Sequence, residues 1–223
     1  MIAKKTGFKK FACVFRNIVL GLLVLVLLIV AGAYLALRGS LPRLEGDTGL
    51  AALKAPVTLT RDERGTVQIS AKDMNDAMRA LGFVHAQERF FEMDLARRSA
   101  AGELSVILGN ATVKIDKDKR MHRLRARMEA AWKRLSAGER EGVTAYMSGV
   151  NAGLAALSVR PWQYLLLRAE PEPWREVDSL LVVSEMYFML QSRSIEERFN
   201  EIELRKRIGD KVFDWVKPLG GEW

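Results

Sequence analysis

Polar and apolar positions divide the chain into segments of different period. From Ile18 to Leu37 it reads IVLGLLVLVLLIVAGAYLAL, twenty positions without a charge. At about 1.5 Å of rise per residue this run spans roughly 30 Å, a bilayer's hydrocarbon thickness, and predicts a transmembrane helix over 18–37. Residues 38–55 mix Gly, Pro and charge and read as a linker, behind a short basic segment at 1–17. The period then drops to two. Val57, Leu59 and Arg61 alternate with threonines, and Val67 and Ile69 alternate with Thr66, Gln68 and Ser70 around an Asp62-Glu63-Arg64-Gly65 turn. That pattern predicts a β-hairpin over 56–71 with one wet face. From Asp73 the period becomes helical. A helix capped by Asp73 or Asn75 is predicted to run to about Ala101, and a second from about Asp118 to Leu135. A third is opened by a Ser136–Glu139 capping box, with Val143, Tyr146, Val150, Leu154 and Leu157 recurring along it. A fourth follows the PEPW turn, from Val177 toward Ile208. The tail KPLGGEW ends without a cap and reads as cut from something longer.

Charge gives the first run an orientation. Of the net +8, five positive charges lie in the first sixteen residues, which hold no acid, leaving +3 for the rest. Positive charge before the span and only Arg38 just after it keeps the N-terminus cytoplasmic and places the folded part outside, in a periplasmic or extracytoplasmic compartment. A cleaved signal peptide, with Ala31 and Ala33 at the cleavage site, is the alternative; continuation of the apolar run through Leu37 favours an uncleaved anchor. With most of the basic excess in the first sixteen residues and the rest only mildly basic, the charge does not predict nucleic-acid binding. The lone cysteine, Cys13, excludes an internal disulfide and a cysteine-based metal site.

The stretch GFVHAQERFFEMDLARRSAAG, residues 82–102, concentrates groups capable of acid–base chemistry. On a helical wheel Phe83, Val84, Phe90, Phe91, Met93 and Leu95 form a broad apolar arc, and His85, Glu88, Arg89 and Glu92 lie opposite. His85 is therefore expected to be solvated or to sit at the edge of the buried arc, with no serine or cysteine at a spacing that makes it a triad base. Gln87, Asp94 and Arg98 fall inside the apolar arc. An i,i+4 Asp94–Arg98 pair can offset the burial of its charges, and the three are expected to form a buried polar network that fixes how the helix docks; a substrate-facing wall is the alternative.

RDERGTVQISA, ALGFVHAQERFFEMDLARRSAAGEL, ILG, AYMSGVNAGL and EPEPW follow one another in this order. Together they resemble the α-chain of the penicillin acylase family, which includes penicillin amidases and acyl-homoserine-lactone acylases, over about Ser40 to Gly209. GELSVILG departs from the family's usual Ala-Glu by placing Ser105 and Val106 there. The resemblance implies an α+β chain: the mostly helical α-portion, over 56–223, of an αββα sandwich of the N-terminal-nucleophile hydrolases. It implies a self-cleaving precursor and a separate β-chain whose N-terminal serine attacks an amide, its own α-amino group serving as base. No catalytic residue is then expected in this chain. On the helix after the PEPW turn, the resemblance assigns Tyr187, Leu190 and Gln191 to the acyl pocket. It assigns Glu197, or its neighbour Glu196, to calcium, the remaining ligands coming from the β-chain.

The function implied is the α-portion of a membrane-anchored amide hydrolase acting on penicillin-like or other N-acyl small molecules, inactive without its β-chain. Two other readings stay open. One is a truncated, non-catalytic remnant. The other is a membrane-tethered interaction module using the basic segment KRMHRLRARMEAAWKRL, whose plainer reading is an amphipathic helix with a solvated face.

Overall fold

A computed structural model describes residues 3–217, with side chains described outside 3–13 and 192–196. Pro218–Trp223, most of the KPLGGEW tail, and the side chains of Cys13 and Glu196 lie outside the described residues. Two compact units emerge. The first comprises the chain up to Glu92 together with Glu141–Trp174; the second comprises Met93–Arg140 together with the chain from Arg175.

The first unit opens with α1, Ala3–Gly39, longer at both ends than the apolar run alone. The segment Val14–Gly39 is long and apolar enough to cross a membrane, and its most apolar eighteen-residue stretch is not buried by the rest of the chain. The hairpin forms where alternation predicts it, as β1, Thr58–Arg61, antiparallel to β2, Val67–Ser70, with Leu59 opposite Ile69 and Arg61 opposite Val67. Its turn is built by Asp62, whose carboxylate accepts the N–H groups of Arg64 and Thr66 at 2.9 and 2.7 Å, while Gly65 adopts φ +80°. Among the described residues these two strands form the sheet, and the rest is helical.

Asp73 caps α2, Met74–Ala101, by accepting the N–H groups of Asn75 and Asp76. Within the helix Arg89 leaves helical geometry, at φ −147° and ψ 29°, so the predicted element is broken by a kink. Before the kink α2 packs on α6, Ala137–Ala155, at backbone contact distance. A Cβ on Gly149 would stand 1.9 Å from Arg79 O, one on Gly153 2.3 Å from Phe83 O, and one on Gly82 2.2 Å from Tyr146 O. The predicted capping box opens α6: Glu139 N–H donates to Ser136 Oγ, and the Glu139 carboxylate accepts Ser136 N–H. A short α7, Trp162–Leu167, follows Pro161, and its Tyr164 is fully buried against Phe90 and Phe91.

In the second unit the chain turns at Gly102 (φ +70°) into a short α3, Ser105–Leu108, a 3₁₀ turn at Gly109–Thr112, and α4, Val113–Arg120. Buried Asp116 accepts the N–H groups of Leu104 and Ser105, both at 2.8 Å. The single helix expected over 118–135 is interrupted. Met121–Arg123 form a turn with Arg123 at φ +52°, and α5 runs from Leu124 to Arg134. α8, Glu176–Ile208, packs on α5 through a core of Leu181, Leu124 and Ala100, with Met128 and Phe188 beside it. α9, Asp210–Val216, completes the described chain.

Candidate functional site

α8 is apolar on two faces. Leu181 is fully buried and Phe188 partly so, both on the side that meets α5. Val183, Met186, Tyr187 and Leu190, at i, i+3, i+4 and i+7, form a second stripe whose members are 56–66% exposed. Two of the residues that the family resemblance assigns to the acyl pocket, Tyr187 and Leu190, lie on this stripe, and exposed Gln191 follows. The Tyr187 ring meets Phe188 edge-on, 6.2 Å between centroids. A surface helix with one apolar stripe needs no further partner; a second contiguous exposed stripe is the kind of patch that marks an interaction or ligand surface.

Glu197 lies two turns beyond Leu190 and is exposed. The Lys217 ammonium is held protonated above the ordinary lysine range first by its hydrogen bond to Glu201, with the Glu197 charge adding to that field. Among the described residues no group of three or more His, Cys, Asp or Glu side chains converges as a metal site would. Calcium takes six to eight oxygens, so the single carboxylate of Glu197 does not by itself fit the ion.

In the stretch with the densest chemistry, buried charges pair with one another. Asp94, fully buried, accepts Arg97 Nε at 2.7 Å and Arg98 Nε at 2.9 Å. Arg97 Nη1 reaches Asp178 Oδ2 at 2.6 Å, and Arg125 bridges Asp178 (3.4 Å) to Glu103 (2.8 and 2.5 Å). Burial alone would raise the Asp178 carboxyl, but the Arg97 charge, the Arg175 N–H and the Arg175 charge outweigh it and hold it below the usual carboxylate range. The expected Asp94–Arg98 pair is present, while Arg97 and Asp178, absent from the sequence reading, complete it. Gln87 is buried as expected but lines a cavity of about 90 Å³ with Phe90, Phe91 and Trp162 rather than this network. The kink at Arg89 interrupts the wheel on which Gln87 and Asp94 were projected one heptad apart.

Of the two positions the wheel allows, solvated or edge, His85 takes the edge. It is half-buried, its Nδ1 2.9 Å from the Tyr146 hydroxyl. Burial, then the Arg89 charge, lowers its pKa against an opposing Glu88, and burial pushes the Tyr146 phenol up to about 12. The phenol therefore keeps its proton, and the Nδ1 of His85 is engaged by the Tyr146 hydroxyl. His122 sits in the turn before α5 with its ring 4.7 Å from that of Phe188.

The chain from residue 56 to residue 220 matches the family model described as penicillin amidase. The chain belongs to the penicillin amidase family. It is 39% identical over 157 residues to penicillin acylase 2 proenzyme of Pseudomonas sp. (strain SE83), covering 70% of this chain and 20% of that protein. It is 29% identical over 180 residues to an acyl-homoserine lactone acylase of Pseudomonas aeruginosa, covering 80% of this chain and 21% of that protein. Among solved structures it is similar to a chain of the thermostable penicillin G acylase from Alcaligenes faecalis, with TM-score 0.58 and 26% identity, over 75% of this chain and 93% of that one. The chain thus spans about a fifth of the length of the curated relatives it matches, a coverage that fits their α-chain portion.

Proposed function

We propose that this chain is the α-portion of a membrane-anchored N-terminal-nucleophile hydrolase that cleaves the amide of a penicillin-like or other N-acyl small molecule. Its membership of the penicillin amidase family carries this reading. The reacting serine belongs to a β-chain. Its hydroxyl attacks the amide carbonyl while its own α-amino group, with a pKa of about 8, accepts the proton; the amine leaves and an acyl-enzyme remains for water to release. Nothing in this chain has to supply a base, in keeping with a His85 whose Nδ1 is occupied by Tyr146.

The α-portion contributes shape. Tyr187, Leu190 and Gln191 of α8 form part of the acyl pocket, and the exposed apolar stripe around them is the surface that the β-chain covers. Joined to the β-chain, the helices become one outer layer of an αββα sandwich. Glu197 donates one carboxylate to calcium only if the β-chain brings the other oxygens. α1 crosses the membrane uncleaved, and the folded part faces the periplasmic or extracytoplasmic side, as basic residues before the span and an apolar run through Leu37 favour.

The test is to tag the chain at its N-terminus, solubilise it gently from native membranes, and identify what stays bound by intact mass and N-terminal sequencing. A larger partner that begins with Ser, Thr or Cys is the expected outcome. A chain recovered without such a partner overturns the proposal and leaves a non-catalytic remnant.

A further inference from the structure

α1 does not hang from the first unit by a loose tether. Val159 N–H donates to Gly39 O at 3.0 Å, and the Val159 side chain lies so close that a Cβ on Gly39 would meet it at 2.6 Å. Ser40 is buried, its hydroxyl donating to Leu37 O at 2.8 Å. Ser40, Leu41 and Pro42 then line the same cavity as Pro161, Trp162 and Gln163, so the start of α7 stands beside the last turn of α1. Besides the exposed acids Glu88 and Glu92, which line the same cavity, exposed apolar residues stand there. Trp162 (43%) and Leu166 (73%) are i,i+4 neighbours on α7, and Leu41 (60%) and Leu44 (64%) follow α1 directly. Tyr164, between them in sequence, is fully buried, so α7 is already packed by one side and the apolar residues on its other side are surplus to the core.

Groups fixed beside the end of a spanning helix lie at headgroup depth. Tryptophan is favoured there, with its ring in the acyl boundary and its N–H toward water, and leucines insert beside it. Exposed Arg38 and Arg43 flank the same connection and can reach lipid phosphates while their stems lie along apolar surface.

We propose that Trp162 and Leu166 of α7, together with Leu41 and Leu44, form a membrane-contacting face that seats the first unit on the bilayer crossed by α1. The occupant is the lipid interface, because the face is continuous with the end of the spanning helix. The inference rests on the reading of α1 as a membrane span and extends it from a tether to a fixed seat.

The test uses the full chain in vesicles of phosphatidylcholine and phosphatidylglycerol. With Cys13→Ser as background, an environment-sensitive fluorophore is attached in turn at Leu166→Cys, Leu28→Cys and Glu141→Cys. Glu141 lies about 20 Å of helix before Ala155, and it and Leu166 are exposed, so labelling spares the core. The Leu28 label is expected to be quenched by lipids that carry a nitroxide deep in the acyl chain. The Leu166 label is expected to lose roughly half its emission to a nitroxide near the headgroup, as a group at the headgroup–acyl boundary would, and the Glu141 label to be unaffected. An unquenched Leu28 label defeats the membrane reading itself. A quenched Leu28 label beside an unquenched Leu166 label leaves the anchor standing and overturns the seat. So does quenching at Glu141 equal to that at Leu166, or a Leu166 label shielded from water without quenching by lipid, which assigns the face to a protein partner.

Discussion

Asp94 holds two guanidinium groups at once, at 2.7 and 2.9 Å, in a site with no exposure. Truncating it leaves Arg97 and Arg98 buried with one carboxylate fewer, so Asp94→Ala is expected to lower stability by about 3–5 kcal/mol. Denaturant unfolding checks this, and curves that superimpose on the parent chain reject the network as a structural element. The partner carboxylate adds a pH signature. Asp178 titrates below the ordinary carboxylate value in the folded state. Its contribution is therefore complete above that value, about pH 4, and is lost as pH falls through the lower folded value. Asp178→Asn is expected to be less stable at neutral pH and to show a shallower loss below about pH 4. His85, also lowered, works in the same direction at higher pH: its burial as a neutral ring favours the fold above its ordinary value and opposes it below.

Helix contacts set the next scale. The crossing of α2 and α6 is made by Gly82, Gly149 and Gly153, each with backbone where a side chain would begin. A methyl at Gly149 would overlap Arg79 O at 1.9 Å, and a backbone carbonyl has no rotamer by which to move aside. Gly149→Ala is expected to destabilise by about 1–3 kcal/mol through displacement of the helix pair. Gly142→Ala, on the same helix with its nearest neighbour 3.9 Å away, is expected to be neutral or slightly stabilising, because alanine is the better helix former. Thermal unfolding of the two variants separates packing from propensity; equal losses would reject close approach as the glycines' role.

At the scale of the whole molecule, apolar surface is left over. Besides the α8 stripe, Val212, Val216 and Trp215 of α9 are exposed, Trp215 to 83%. Surface of this kind on an isolated chain drives association, while a bound partner stabilises by mass action. The part beyond α1, made alone, is therefore expected to aggregate or to melt without cooperativity. Co-expression with a β-chain of the same family is expected to restore a soluble, cooperative species. A cooperative melt of the isolated monomeric part above about 50 °C, as for ordinary stable domains, counts against a covered face.

Much of this was legible because it depends on neighbours in sequence. The apolar run of α1, the alternation of β1 and β2, the Asp73 cap, the Ser136–Glu139 box and the Asp94–Arg98 pair are each specified within a few residues, by period, turn chemistry or i,i+4 spacing. The order of five short motifs likewise indicated the family. The remainder depended on distant partners. Asp178 lies 81 residues from Arg97, Tyr146 lies 61 from His85, and the glycines of α6 matter only because α2 crosses them. A wheel drawn through Arg89 carried Gln87 to the wrong neighbours because one residue's backbone leaves the helix there. Local period and charge, then, determined the segments, the long apolar N-terminal helix among them. The buried carboxylates' full set of partners, the neutral His85 and the uncovered face of α8 were decided only by tertiary packing, since burial and pairing are properties of what the fold brings together.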